Sequence, residues 1–310
     1  MNLIDTGVRP SGYEHAGYAE SLREFGTPRP LPRSGAWVLE RALNSLSYRD
    51  AMGCYPLFCC PNWSELRTDL DELARDLVSI SLVADPFGSY HATDLQSCFR
   101  DKFLPFKTHF VADMRRLVAK FVSSHHQYYA KRALRTIHVE RCDEPGRFLN
   151  EWLDLYENLI SRHQLSGIRA FSRSAFAVQL AVPGIVMLRA THDDQVVGAH
   201  LWYVHGDVVH SHLAAANALG YDLAVSYALY WSALETFADQ VRWINFGSGA
   251  GLNSDDSDGL TRFKRGWATE TRTAYFCGRI FDQKKYAEAV TLRKAQSSSY
   301  FPAYRSGEFA

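Results

Sequence analysis

The fold is decided by one stretch in the second half of the chain, VVGAHLWYVHGDVVHSHLAAA, residues 196–216. Two runs rich in β-branched and apolar residues flank His205-Gly206-Asp207, which is typical of a tight turn. The stretch therefore predicts an antiparallel hairpin. A further apolar run over 185–190 precedes it, separated by the polar segment 192–195, and predicts a third strand.

The residues that follow the hairpin predict a helix and then another strand. A short loop over 217–220 leads into a segment of about 221–239 whose apolar residues recur at helical spacing. An apolar run over 241–246 predicts the next strand, and 247–259 reads as a flexible polar loop. Two more strand-like pieces surround Trp267 and cover 273–281.

The first half repeats the strand–helix–strand theme less clearly. Residues 1–35 are rich in Gly and Pro and predict a loose arm, followed by a short helix over 37–46 and a strand over 53–60. Helical spacing after Ser64 and an apolar run over 78–83 predict a helix and a strand. We therefore expect an α/β (α+β) fold with mixed, mostly antiparallel sheets flanked by helices.

Composition limits the classes of function. The 310 residues carry no formal net charge, and 46% of them are hydrophobic, so a full core is expected and a polybasic role is disfavoured. No apolar run approaches the roughly 20 residues that cross a bilayer, and the N-terminus lacks a signal-peptide pattern. The cysteines form no CxxC pair. We read them as reduced core thiols and expect a cytoplasmic protein.

Positive charge is concentrated in two stretches, 113–141 and 261–294. One interpretation is two solvated faces; the other is attraction of phosphates from a cofactor, a nucleotide-linked substrate or a tRNA. In the first stretch, Lys131, Arg132 and Arg135 are the candidates for contact with phosphate or carboxylate groups.

Three histidines lie on the predicted hairpin: His200, His210 and His212. They suit structural roles, a general base for an amine, or a metal site, but no nearby Cys or carboxylate completes a metal set, so we predict no metal. His212 is the candidate base.

Two glycine-containing loops suggest ligands only weakly. The loop 247–251 lacks the third glycine and the following helix of a dinucleotide fingerprint, which leaves a mobile turn or a loop that closes over substrate. The segment 254–259 lacks the charged first ligand and the final Glu of a calcium loop.

Several of these segments together resemble the GNAT-like acyltransferase domain of the Fem-type superfamily, which includes aminoacyl-tRNA-dependent peptidyl transferases and acetyltransferase-like relatives. The resemblance rests on the strand over 197–203, the helix opening at 217–221, the Trp-Ile-Asn-Phe-Gly turn at 243–247 and the segment 259–266. It is strongest over 185–280. Residues 50–140 resemble a degenerate first domain of the same kind, including the basic helix near 129–132.

The resemblance implies two tandem GNAT-like domains, 1–140 with the N-terminal arm and 141–310, with substrate in the cleft between them. It matches Phe263-Lys264 to a family position where the lysine stabilises charge at the reacting carbonyl, and a fixed cation there would stabilise an oxyanion. We expect Asn245 to orient the acceptor, and Tyr203, Phe263 and Gly247 to line the substrate site.

The donor stays open between acyl-CoA and aminoacyl-tRNA. Ordinary GNAT enzymes bind the CoA pyrophosphate with a glycine-rich turn at a helix N-terminus. The matching residues here are Asn217, Gly220 and Tyr221, with only one glycine among them. We predict no tightly bound cofactor.

The expected reaction is amide-bond formation by transfer of an acyl or aminoacyl group to an amine of a small molecule or peptide. The alternative is a catalytically inactive GNAT-like module that binds a ligand or partner. The sequence names neither the acceptor nor the oligomeric state; cell-wall, polysaccharide and secondary-metabolite biosynthesis all remain open.

Overall fold

A computed structural model describes residues 10–43, 46–142, 144–249 and 258–308 of the chain. The chain divides into two compact units. The hairpin unit comprises Lys107–Leu165 and Ser172–Arg272 with the segment that ends at Gly12; the N-terminal unit comprises Tyr13–Phe106, Ser166–Phe171 and Thr273–Ala310. The domain boundary after residue 140 stays a prediction.

The strands, in chain order, are β1 (Thr27–Leu31), β2 (Ala36–Leu43), β3 (Tyr48–Gly53), β4 (Ser79–Val83), β5 (Lys102–Asp113), β6 (His138–Cys142), β7 (Ile185–His192), β8 (Gln195–His205), β9 (Val208–Ala216), β10 (Trp243–Ser248) and β11 (Glu270–Ile280). The α-helices are α1 (Ala16–Ser21), α2 (Leu66–Leu73), α3 (Ala92–Cys98), α4 (Val118–Phe121), α5 (Ser124–Ala133), α6 (Leu149–His163), α7 (Arg173–Gln179), α8 (Ala218–Asp222), α9 (Val225–Phe237), α10 (Gly259–Arg265) and α11 (Gln283–Leu292).

The hairpin unit contains a sheet with the strand order β5-β10-β9-β8-β7-β6. All neighbours in this order are antiparallel except β9 and β10, which are parallel. Parallel neighbours need a crossover connection, and α8 and α9 supply it. The predicted α/β class with mostly antiparallel strands and flanking helices is confirmed.

The core of the hairpin unit lies where α9 covers one face of this sheet. Helix α9 is apolar on most sides and buries Tyr230 and Phe237 against Trp202 of β8 and Phe246 of β10. Because strand side chains alternate between faces, these rings occupy one face and leave the other for different side chains. Trp267, just after α10, is fully buried in the same core.

The N-terminal unit repeats this arrangement on a smaller scale. Its strands follow the order β1-β2-β3-β4-β11, with β3 and β4 parallel and the rest antiparallel. Helix α2 connects β3 to β4 and buries Leu66, Leu70 and Leu73 against the sheet. Both units therefore share antiparallel strands followed by a helical crossover to a parallel strand.

A buried ion network stabilises the N-terminal unit. Asp50 is fully buried and accepts hydrogen bonds from Arg41 and, at both oxygens, from Arg305. Glu308 accepts from the same two arginines. The charges balance, so burial of Asp50 is compensated.

The hairpin is confirmed: β8 and β9 pair with His205 opposite Val208 across a Gly206-Asp207 turn. The predicted helix over 221–239 is observed as α8 and α9, and the strand over 241–246 as β10.

Several predicted elements are wrong. In the helix predicted over 37–46, residues 37–43 form most of β2 instead, because their apolar side chains bury on both faces of a strand. Residues 54–60 lie beyond the end of β3, and the N-terminal arm contains α1 and β1 from residue 16 onward. Residues 1–9 and 250–257, which include part of the predicted arm and most of the glycine and acidic loops, lie outside the described residues.

Candidate active site

The site lies where the two parallel strands of the hairpin unit stop pairing. Strands β9 and β10 pair at three positions only, the last being Asn245 opposite His210. Strand β9 then continues to Ala216 and β10 to Ser248 without pairing to each other. The side chains at the last pair therefore stand at the point where the sheet opens.

Asn245 is buried at this point and uses both ends of its side-chain amide. Its Oδ1 accepts from the backbone N–H of Gly247 at 2.9 Å and lies 3.0 Å from Nδ1 of His109. Its Nδ2 lies 3.1 Å from Nδ1 of His210. Asn245, His109 and His210 come from β10, β5 and β9, so three strands meet in one hydrogen-bonded cluster.

Lys264 lies beside this cluster because of a local helix start. Asp258 caps α10 by accepting from the backbone N–H groups of Leu260 and Thr261. Lys264 follows one turn after Thr261, and its Nζ donates to the carbonyl of Ser248 at 2.7 Å. The helix therefore holds the ammonium group at the end of β10.

The surroundings of Lys264 lower its proton affinity. Burial lowers the pKa of Lys264 to about 8, and the negative charge of Asp258 opposes part of that shift. Near neutral pH the side chain is therefore mostly a cation. Gly247 has φ +77°, and a Cβ at that position would come within 3.2 Å of Nζ. A glycine thus lets the ammonium group approach the backbone closely.

His109 is the site residue that the sequence did not single out. It is buried, and burial, with smaller contributions from Lys264, His210 and Lys107, lowers its pKa to about 3, against the opposing effect of its hydrogen bond to Asn245. It is therefore a neutral imidazole at neutral pH. Its partner Asn245 is 136 residues away in the chain, so no short-range sequence pattern joins the two.

His200 and His212 on the hairpin are both held within the unit. His200 is fully buried and lies 2.8 Å from the hydroxyl of Ser211, whereas His212 lies 3.2 Å from Oε1 of Gln179. Burial lowers the pKa of His212 to about 3 and that of His200 well below its usual value. The role of His212 as a base stays a prediction, and its Nε2 is occupied by Gln179.

The side chains of Tyr203 and Phe263 pack in the interior of the hairpin unit. Tyr203 is fully buried and donates to the carbonyl of Gln179, and Phe263 packs partly buried against the core of the hairpin unit. The carbonyl of Phe263 accepts from Nε2 of His126 at 2.9 Å, which ties α10 to α5. Substrate contact by either residue stays a prediction.

The predicted cofactor turn is a well-capped helix start. Oδ1 of Asn217 accepts from the N–H of Gly220 at 2.8 Å, and its Nδ2 donates to the carbonyl of Val196 at 2.9 Å. Gly220 is required by packing, since a Cβ there would lie 2.1 Å from the carbonyl oxygen of Val197. Arg162 stacks over the ring of Tyr221. Cofactor binding at Asn217, Gly220 and Tyr221 stays a prediction.

The basic helix is exposed. Lys131 and Arg132 lie in the last turn of α5 and Arg135 follows it, and all three are exposed. None of the three makes an ion pair within the described ranges. Tyr128 on the same helix is 61% exposed. This face therefore presents cations and an aromatic ring to solvent.

Three further observations concern metal ligands, membrane-spanning helices and cysteines. The described residues bring together no group of three metal-ligating side chains fit to hold a metal ion. Every helix in the described part of the chain is too short or too polar to span a bilayer. All six cysteines are buried free thiols.

Comparisons with known proteins concern the family and the fold. Residues 122–265 match the family described as Acetyltransferase (GNAT) domain, and this range contains the hairpin, Asn245 and Lys264. A search of curated proteins found no significant match.

Solved structures share the fold over most of the chain. A crystal structure of FemX aligns with a TM-score of 0.69 at 13% identity, covering 93% of this chain and 98% of that one. The L-PGS structure from Bacillus licheniformis gives 0.59 at 12% identity, covering 92% and 97%. A C-terminal domain from Agrobacterium fabrum, described as belonging to a lysylphosphatidylglycerol synthetase, gives 0.64 at 12% identity, covering 93% and 92%. The chain thus resembles the family described as Acetyltransferase (GNAT) domain over residues 122–265, and it shares the fold of these solved structures over most of its length.

Proposed function

We propose that this chain is an N-acyltransferase that forms an amide bond by moving an acyl or aminoacyl group onto an amine acceptor. The observation that carries the proposal is the ammonium group of Lys264, fixed at the carbonyl of Ser248 where β9 and β10 part. Attack of an amine on an ester or thioester builds negative charge on the carbonyl oxygen. A fixed cation in a poorly solvated site stabilises that charge more than water does.

The neutral histidines around Lys264 support the same chemistry. Burial and the charge of Lys264 lower the pKa values of His109 and His200, so these two histidines add no positive charge beside Lys264 at neutral pH. An amine acceptor has to be deprotonated before it attacks, and cationic neighbours favour its neutral form.

The exposed cations Lys131, Arg132 and Arg135 support a polyanionic donor. Both donors we consider, acyl-CoA and aminoacyl-tRNA, carry phosphates, and unpaired surface cations are suited to bind them. The turn at Asn217–Tyr221 with its single glycine favours aminoacyl-tRNA over acyl-CoA. The buried free thiols support a reducing compartment, and we propose the cytoplasm.

Two binding measurements separate the donors. Thermal-shift titration with acetyl-CoA tests one, and filter binding with bulk aminoacylated tRNA tests the other. Charge reversal of Lys131, Arg132 and Arg135 to Glu should weaken the binding of the true donor and reduce its salt dependence. Stabilisation by acetyl-CoA without tRNA binding would rule out the tRNA donor.

Product analysis tests the reaction itself. With the bound donor, a panel of amines representing cell-wall precursors, amino sugars and small metabolite amines is incubated with the protein, and amide products are identified by mass spectrometry. Binding of a donor without any transfer would favour the second candidate, a GNAT-like module that only binds its ligand. Transfer that survives Lys264→Ala unchanged would contradict the mechanism.

A further inference from the structure

The hydrogen bonds of Asn245 define which atom of its amide is oxygen. The backbone N–H of Gly247 can only donate, and it lies 2.9 Å from the atom assigned as Oδ1. The reverse orientation would place an NH₂ group against that N–H, two donors facing each other. The amide is therefore oriented with Oδ1 toward Gly247 and His109 and with Nδ2 toward His210.

This orientation sets opposite tautomers for the two histidines. Nδ1 of His109 faces an acceptor at 3.0 Å and must carry the proton, which leaves the lone pair on Nε2. Nδ1 of His210 faces a donor at 3.1 Å and must carry the lone pair, which places its proton on Nε2. One asparagine thus holds two neutral imidazoles in complementary states.

His109 lies in the part of the site that holds Lys264. His109 pairs with Ser248 across β5 and β10, and the carbonyl of Ser248 binds Nζ of Lys264. Nε2 of His109 makes no hydrogen bond to any described residue. A neutral imidazole with an unused nitrogen, among the described residues, therefore accompanies the cation at the end of β10.

We infer that Nε2 of His109 accepts the proton of the attacking amine, with Asn245 and His210 as positioning residues that keep its lone pair on that nitrogen. This role rests on the proposed acyl transfer. As the amine nitrogen bonds to the carbonyl carbon, its proton passes to Nε2; as the bond from carbon to the leaving sulfur or oxygen breaks, the proton passes to the leaving atom. The amine loses one proton, the leaving group gains it, and His109 returns to its starting state.

The environment of His109 suits a relay that has to release its proton. The titratable groups that face it are Lys264, His210 and Lys107; burial and then the positive charges of the two lysines disfavour the imidazolium. The imidazole is therefore available at neutral pH. Once protonated, it gives the proton up readily to a basic leaving atom.

The tautomers can be read directly in the full chain. In ¹⁵N-labelled protein at pH 7, two-bond proton–nitrogen correlation spectra distinguish protonated from unprotonated imidazole nitrogens, with signals assigned from His109→Gln and His210→Gln. We expect His109 to be protonated at Nδ1 and His210 at Nε2. Asn245→Asp offers two acceptor oxygens and should move the His210 proton to Nδ1. Asn158→Asp, which adds the same charge on the exposed face of α6, should leave both histidines unchanged.

Activity supplies the second readout. His109→Gln should lower kcat by about 10²-fold or more with little change in KM, as expected for the loss of a proton-transfer group. Identical tautomers in the two histidines, or transfer by His109→Gln within twofold of the parent, would overturn the inference. The assigned tautomers in a protein that transfers no acyl group from either donor would instead overturn the proposed function and, with it, the proton-relay role.

Discussion

Asn217 and Asn245 show how the same side chain serves two different purposes in one unit. Each is buried or half-buried, and each uses both ends of its amide. Asn217 joins two backbone groups, the N–H of Gly220 and the carbonyl of Val196. Asn245 joins two imidazoles and one backbone N–H. Backbone groups do not change protonation at ordinary pH, whereas imidazoles do. The hydrogen-bond partners therefore determine whether a buried amide only stabilises the fold or also sets which imidazole nitrogen carries the proton.

Substitutions near Asn217 and substitutions near Asn245 should therefore have different effects on the protein. Around Asn217 a change should lower stability first. Around Asn245 it should lower activity first and leave the fold in place.

The largest expected effect is a loss of activity on substitution of Lys264, which lies beside the Asn245 cluster. Lys264→Met keeps the length of the side chain and removes the cation at Ser248, so we expect kcat to fall by about 10²–10³-fold, as for loss of one oxyanion-stabilising group. The free energy of unfolding should change by only about 1 kcal/mol, the net worth of one hydrogen bond. Steady-state kinetics and urea denaturation measure the two quantities.

Lys284→Met is the control for that experiment, because Lys284 is an exposed residue of α11 in the N-terminal unit. It should leave both quantities unchanged. A large loss in the free energy of unfolding of Lys264→Met would show that Lys264, like Asn217, mainly stabilises the fold. It would contradict the difference drawn between the two asparagines.

A smaller effect is expected on the Asn217 side. Gly220→Ala places a methyl group 2.1 Å from the carbonyl oxygen of Val197, and a strand backbone cannot move aside cheaply. We expect a loss of about 1–3 kcal/mol in the free energy of unfolding, the usual cost of overpacking. Gly146→Ala is the matched change, since nothing lies within 4 Å of its new methyl group. Equal stability of the two variants would show that the turn at Asn217 tolerates movement.

The smallest effect near neutral pH concerns protonation of Lys264. Its pKa of about 8 lies below the ordinary lysine value, so the cation is present below pH 8 and is lost above it. The rate should therefore decline above pH 8, approaching tenfold per pH unit, while deprotonation of the amine acceptor shapes the rise at lower pH. Lys264→Arg keeps its charge throughout this range and should extend the plateau. A decline at pH 8 that persists in Lys264→Arg would assign it to another group.

Local pattern was enough to predict the hairpin, the crossover helix and strand β10. Each depends on short-range signals: the turn at Gly206, the helical spacing of α9 and the apolar run of β10. Strand β2 was mistaken for a helix because a short apolar run buried on both faces has no distinguishing period. Helix α10 was missed although Asp258 provides a capping signal at its start.

The cluster at Asn245 was only partly accessible to sequence reasoning. Asn245 and Lys264 were found through the family resemblance, because each lies in or next to a quoted segment. His109 lies 136 residues from Asn245, and only the pairing of β5 with β10 brings them together. The register between strands so far apart in the chain cannot be predicted from a single sequence. His109 could therefore be identified as the proton acceptor only from the structure.

Gly247 has a consequence for how such proteins change over evolutionary time. Its positive φ and its closeness to Nζ of Lys264 mean that most side chains would disturb the ammonium group while leaving the core alone. An aspartate is among the residues that tolerate this backbone conformation, and it would also neutralise the cation. One substitution at this glycine would thus be expected to abolish the proposed activity while the protein still folds. Position 247 is therefore the first residue to compare when active relatives are to be separated from inactive ones.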